Sequence, residues 1–254
     1  RTARNILSQY ADSSFRPLRM EFVFGQNGLS PIVLELSDGT FVYLQGRIDR
    51  VDVMTGGGLR VIDYKSGARK FDPTLVYWGL QLQLLLYLAA ALSRVPGSHA
   101  AGFFYCRIAD PTVKTESRIR EEVEKQIAKK LSLQGISLSD VAILRAQGGN
   151  VATMVTKDGK PNGRYAASMV DEAGMERLLD FGKRKAAELA GEIRRGRIAA
   201  RPAVIGDWSA CTYCDYRGVC GIDPGDTQAQ NQIPDMDKQE FRERLAKEGK
   251  TNTQ

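Results

Sequence analysis

Apolar and polar positions along the chain follow two periods, and the switches between them mark out the elements. Residues 19–24 (RMEFVF) alternate as a strand does, residues 32–36 form a second such run, and turn-forming residues 25–31 separate them. Residues 41–67 hold two β-rich runs, FVYLQGRIDRVDVM and LRVIDYKSG, on either side of a glycine-rich break, which predicts a hairpin. Between residues 72 and 94, Pro73 near the start and Val76, Leu80, Leu84 and Leu88 at helical spacing predict one helix of roughly five turns or more. A strand is expected at 103–108 (FFYCRI), closed by Asp110-Pro111. Residues 114–132 are charged with helical spacing, 141–170 read as short strands around Asp158-Gly159 and Asn162-Gly163, and 171–196 read as a long helix. No internal repeat of useful period is present.

Four segments follow from this pattern. Residues 1–18 carry a weak helical pattern ending at Ser13, Ser14 and Pro17, and read as the remnant of an upstream helix or linker. Residues 19–200 form the α/β core, residues 201–225 a cysteine segment, and residues 226–254 a polar tail expected to be weakly ordered. The chain opens at Arg1 rather than Met, so a longer parent is expected.

Composition changes this picture little. The 254 residues are 43% hydrophobic and 8% aromatic, enough for a sizeable core, which excludes bulk disorder and fibrous structure. Lys plus Arg is 36 against 30 Asp plus Glu, an excess that suits a polyanionic partner without requiring one. The longest apolar run, residues 84–92, is too short to span a bilayer and no secretory signal opens the chain, so a cytoplasmic location away from membranes is expected.

The candidate chemistry lies on the hairpin. Asp63 and Lys65 project from one strand face together, with Val61 two places earlier. If the hairpin closes through Thr55 to Gly57, paired residue numbers sum to about 112, which sets Asp49 opposite Asp63 and Arg47 opposite Lys65. Two carboxylates about 5 Å apart repel unless a cation lies between them, and oxygen ligands suit Mg²⁺, which polarises a phosphoryl oxygen and lowers the pKa of bound water. Lys65 would orient that water or meet charge developing on the phosphate. The plainer alternative is an exposed hairpin with cross-strand ion pairs. Gln83 and Tyr87, at i and i+4, share one face of an otherwise aliphatic helix, either as phosphate or carboxylate partners or as the polar rim of a buried helix.

Taken together, Gly46-Arg47-Ile48-Asp49-Arg50-Val51-Asp52, Val61-Ile62-Asp63-Tyr64-Lys65 and Gln83-x3-Tyr87 resemble, in order and spacing, the RecB-like PD-(D/E)XK nucleases. With Cys211-x2-Cys214-x5-Cys220, the chain is similar to the iron-sulfur subgroup, above all to the AddB nuclease domains of AddAB-type helicase-nucleases. That resemblance implies a mixed central sheet flanked by helices, with Asp49, Asp63 and the carbonyl of Tyr64 binding Mg²⁺ or Mn²⁺, and Lys65 serving the attacking water. It places Gln83 and Tyr87 near the site and implies cleavage of single-stranded DNA during double-strand break repair by recombination, with an AddA-like protein as partner. It also implies a further metal ligand from an upstream helix. Residues 1–18 contain neither His nor Glu, Asp12 is poorly placed, and Glu21 on the first strand is the nearest substitute. Weak or absent activity, and a catalytically silent DNA-binding scaffold, are therefore the rival expectation. His99, the only histidine, is expected in a loop away from the site.

In the related nucleases a fourth thiolate far upstream completes a 4Fe-4S cluster, and the present segment starts too late to contain it. Cys106 alternates with Phe104 and Ile108, which predicts a buried, inert thiol. Thiolates at the spacing of Cys211, Cys214 and Cys220 also suit zinc, which would make the segment an interaction module. Basic residues at 183–185, 194–197 and 201, with Arg69 and Lys70 near the hairpin, suggest a phosphate track, although cations near a helix C-terminus also stabilise its dipole.

Overall fold

In the computed structural model, which describes residues 2–27, 29–114, 119–223 and 225–251, six strands join into one mixed sheet. A first helix, α1 (Thr2–Ala11), leads into β1 (Arg16–Phe24), and β2 (Ile32–Glu35) pairs with β3 (Phe41–Leu44) as a separate hairpin. The run expected as one strand from residue 41 thus breaks at Gln45, whose Cβ lies so close to Gly25 that a side chain there would collide at 2.7 Å. Next, β4 (Gly46–Val53) and β5 (Gly58–Lys65) form the expected hairpin in the expected register, Arg50 facing Ile62 and Val53 facing Leu59.

The chain then crosses over through α2 (Pro73–Tyr77) and α3 (Gln83–Arg94) to β6 (His99–Arg107), which lies parallel to β5. Helix α4 (Arg120–Lys130) precedes β7 (Gln134–Leu138), a strand that alternation along the sequence does not reveal. Residues 115–118 of the segment read as a charged helix lie outside the described residues. Helices α5 (Val141–Gln147) and α6 (Gly149–Ala152) lead to the two-residue β8 (Met169–Val170), and the sheet order is β1-β4-β5-β6-β7-β8. The long helix α7 (Glu172–Arg194) follows as expected, with Asp171 accepting the Gly174 N–H as its N-cap.

Three expectations need correction. The single helix over 72–94 is two, because Gly79 at φ +80° turns the chain and Leu80 N–H bonds back to the Leu75 carbonyl at 2.7 Å. The Gln81 side chain fastens this break, accepting from Asp72 N–H and donating to the Lys70 carbonyl, both at 2.8 Å. As a result α3 starts at Gln83. The strands expected over 141–170 are mostly helical: Asp140 caps α5 at Ile143 N–H, with Ile143, Leu144 and Gln147 buried on one face of that helix and Val151 buried in α6. Asp158-Gly159 does make a tight turn, bridged only between Val155 and Pro161.

The third correction concerns the tail. After β9 (Ala203–Ile205), β10 (Trp208–Ser209), α8 (Arg217–Cys220) and β11 (Asn231–Gln232), which include a small sheet of order β10-β9-β11, the described residues close with α9 (Lys238–Thr251). Ile233, Met236, Phe241 and Leu245 are buried, and Phe241 meets Phe71 and Phe181 edge-on at 6.3 Å. Few apolar residues in a charged stretch suffice when they fall at i and i+4.

The two faces of the sheet bury different sets. Val51, Val61, Phe103 and Tyr105 pack under α3, α7 and α9. Ile62, Phe104 and Cys106 pack on the other side with Leu144 and Val151 of α5 and α6.

Candidate active site

The β4–β5 ladder ends at Arg50 and Ile62, and beyond it the Asp49 side chain takes over. Asp49 Oδ2 accepts the Tyr64 N–H at 2.7 Å, so a carboxylate does what a backbone carbonyl does elsewhere in the ladder. This fixes Asp49 at the carboxyl end of β5, beside Asp63 and Lys65. Lys65 Nζ lies 2.6 Å from Asp63 Oδ2 and donates to Gln83 Oε1 at 2.9 Å. Gln83 Nε2 in turn donates to the Tyr87 hydroxyl at 2.9 Å.

Each element is shaped to make that chain of contacts. The break at Gly79 puts Gln83 in the first turn of α3, so its amide reaches the strand end, and Tyr87 follows one turn later on the same face. The Tyr87 ring packs edge-on to Phe24 at 6.2 Å. Gly46 admits this arrangement, since a Cβ there would meet the Phe24 ring at 2.8 Å. The five residues nominated from the sequence, Asp49, Asp63, Lys65, Gln83 and Tyr87, are therefore brought together on one face.

Burial decides the electrostatics. Asp63 is 2% exposed, and burial pushes its carboxyl above the usual Asp range; Lys65 pulls it back and Asp49 pushes it further up. Burial pushes the Tyr105 phenol up to about 12, with the Asp63 charge adding to the effect, and raises Tyr87 in the same way. Both phenols stay neutral at working pH. Asp63 Oδ2, despite its ion pair with Lys65, is buried without a hydrogen bond of good geometry among the described residues. A buried carboxylate oxygen short of partners, next to a second carboxylate, fits a hard divalent cation.

Other nominees lie elsewhere. Glu21 is in an exposed ion pair with Arg47 at 2.7 Å, so Arg47 faces Glu21 rather than Lys65, and Glu21 does not join the two aspartates. His99 opens β6 beside Gly58, at the far end of the strands from Lys65 and Arg107, about 20 Å away by strand rise. Among the described residues, no three His, Cys, Asp or Glu side chains are gathered as a metal centre. This includes Cys211, half-buried, and Cys214 and Cys220, both exposed; all are free thiols. Cys106 is buried in β6, and its thiol accepts from Gln9 Nε2 at 3.4 Å.

Sequence reasoning missed one cluster behind the site. Arg50, Asp52 and Arg60 are fully buried on the opposite sheet face. Arg50 donates twice to Asp52, at 2.8 and 2.7 Å, and once to the Tyr64 hydroxyl at 2.9 Å; Arg60 Nε reaches Asp52 at 2.9 Å. Arg60 also bonds Gln147 Oε1 at 2.9 Å and lies over the Phe15 ring. Alternation held the signal: Arg50 and Asp52 share a face with apolar Ile48.

The profile of the PD-(D/E)XK nuclease superfamily matches residues 1–221. The chain is 38% identical to a component of an ATP-dependent helicase/deoxyribonuclease from Alkaliphilus metalliredigens, over 92% of this chain and 22% of that protein. It is 35% identical to the same component from Alkaliphilus oremlandii, again over 92% and 22%, and 37% identical to that of Moorella thermoacetica, over 86% and 20%. The chain thus spans about a fifth of the length of these relatives.

Proposed function

The chain belongs to the PD-(D/E)XK nuclease superfamily, and from that premise we propose that it is the nuclease domain of an AddAB-type helicase-nuclease. In this reading it hydrolyses phosphodiester bonds in single-stranded DNA during recombinational break repair, in the cytoplasm and with an AddA-like protein as partner. The observation that carries it is the continuous contact chain from Asp63 through Lys65 and Gln83 to Tyr87, with Asp49 fixed beside it.

Asp49 and Asp63, with the Tyr64 carbonyl, would hold Mg²⁺ or Mn²⁺. Bound there, the ion supplies Lewis-acid polarisation of a phosphoryl oxygen and acidifies a water. Lys65, positioned by Gln83, orients the attacking water and meets charge developing on the phosphate. Tyr87 keeps the Gln83 amide turned toward Lys65. Water oxygen bonds to phosphorus as the bridging P–O bond breaks. Cys211, Cys214 and Cys220 are proposed as three thiolate ligands of a 4Fe-4S cluster in the parent protein; their exposed neighbours Tyr213 and Tyr216 leave that segment without a core of its own. No described helix is long and apolar enough to cross a membrane.

A catalytically silent DNA-binding scaffold is the second reading. It is favoured by the pairing of Glu21 with Arg47, which leaves two carboxylates at the site.

Metal binding separates the two. Mg²⁺ at about 100 times its Kd is expected to stabilise the protein by about 2.7 kcal/mol, read as a rise in Tm that Asp63→Asn abolishes. A carboxyl raised on folding adds stability below the ordinary Asp range and loses it as pH rises through its folded value, while the metal needs it ionised. The metal-induced rise should therefore grow with pH through the Asp63 titration. A Tm indifferent to Mg²⁺ and Mn²⁺ would favour the scaffold.

A further inference from the structure

A cleft of about 1180 Å³ opens at Lys65 and passes the ends of β5 and β6 toward α4 and α1. We propose that it is the track that delivers one nucleic-acid strand to the site, a proposal that rests on the nuclease reading above. Lys65, Arg69, Lys70, Arg107, Lys129 and Lys130 line it, against Asp12 as the single acid among the described residues. Among the described residues, none of the five cations beyond Lys65 pairs with a carboxylate at ion-pair distance, while Lys130 Nζ is held by the Thr112 carbonyl. Arg107 Nε is buried with no hydrogen-bond partner. An unsatisfied guanidinium donor facing a basic cleft is a place where an anion repays desolvation.

The basic residues of α7 and of the turn that follows it, the other track read from the sequence, are used differently. Lys183 pairs with Asp180, Lys185 with Glu188, Arg194 with Asp38, and Arg195 and Arg197 with Glu192. Local neutralisation weakens that face as a phosphate track, whereas the cleft keeps its charge and leads to Lys65.

The lining favours a single strand. The half-buried ring of Tyr165 lines the same cleft, so a basic groove lies beside an aromatic ring, as it does in single-strand binders. The bound species is thus a polyanionic single strand, held by its phosphates and without base readout.

The test is anisotropy of a labelled 30-nucleotide single strand with the 254-residue chain in EDTA, across a salt series, with cleavage in Mg²⁺ measured in parallel. Lys129→Glu combined with Lys130→Glu is expected to weaken binding at least tenfold at 50 mM salt. It should also flatten the slope of log affinity against log salt by about 1.4, the loss of two phosphate contacts. Arg107→Gln is expected to weaken binding about threefold with unchanged circular dichroism. Wild-type affinity in both variants, a larger loss from Lys183→Glu combined with Arg184→Glu, or no binding by the parent chain would each overturn the track. Binding through the cleft without cleavage would refute the nuclease reading and leave the track standing; cleavage with unaltered binding in the variants would do the reverse.

Discussion

Lys65→Ala is expected to slow single-turnover cleavage of single-stranded DNA by about 10²–10³-fold, the usual cost of removing one preorganised electrostatic group from a reacting centre. The structure explains why the loss should be so large for one side chain. Lys65 is held from two sides, by Asp63 at 2.6 Å and Gln83 at 2.9 Å, so its ammonium is placed before substrate arrives. Its removal also leaves the Asp63 carboxylate buried without a cation, which pushes that carboxyl further upward and weakens its hold on a metal. Binding of the strand in EDTA should fall only a few-fold, because five other cations line the cleft. The expected signature is a large change in rate with a small change in affinity. Equal losses in both would make Lys65 a phosphate-binding residue instead.

Asp52→Asn is expected to destabilise the chain by about 3–5 kcal/mol, read from urea denaturation, because it leaves two buried guanidinium groups without their shared counter-charge. Arg50, Asp52 and Arg60 have no exposed surface, and burial holds the Arg60 pKa below its usual range even with Asp52 present. A loss of that size is a large part of the stability of an ordinary domain. The damage should also reach the site, since Arg50 ties the Tyr64 hydroxyl and Tyr64 lies between Asp63 and Lys65. Replacing all three charges together, Arg50→Met, Asp52→Leu and Arg60→Met, removes the desolvation cost as well as the attraction, and is expected to recover most of the stability. A single Asp52→Asn change costing under about 1 kcal/mol would show that water reaches the cluster.

The hairpin and the placement of its charged side chains were legible because they depend on local rules. Strand alternation and a glycine-rich turn fix the register from Val53–Leu59 to Arg50–Ile62, and register alone places Asp49 near Asp63. The contact between α3 and the strand end was legible only as a motif, since nothing in the spacing says which way Gln83 points. The break at Gly79 that aims it depends on Gln81 reaching back to Asp72 and Lys70, a contact invisible to periodicity. Helices α5 and α9 were misread for a related reason. Their apolar residues are few, and tertiary burial of Ile143, Leu144, Phe241 and Leu245 overrides weak local patterning. The phosphate track moved from α7 to the cleft because sequence counts charges without showing which are already paired.

End-labelled single-stranded DNA incubated with the intact chain, in Mg²⁺, in Mn²⁺ and in EDTA, decides whether Asp49, Asp63 and Lys65 form a working phosphodiester hydrolysis centre. The expected result is shortening of the label in either metal, none in EDTA, and none with Asp63→Asn protein that still binds the strand. Strand binding and a metal-dependent rise in Tm without any cleavage, in both metals, would contradict it.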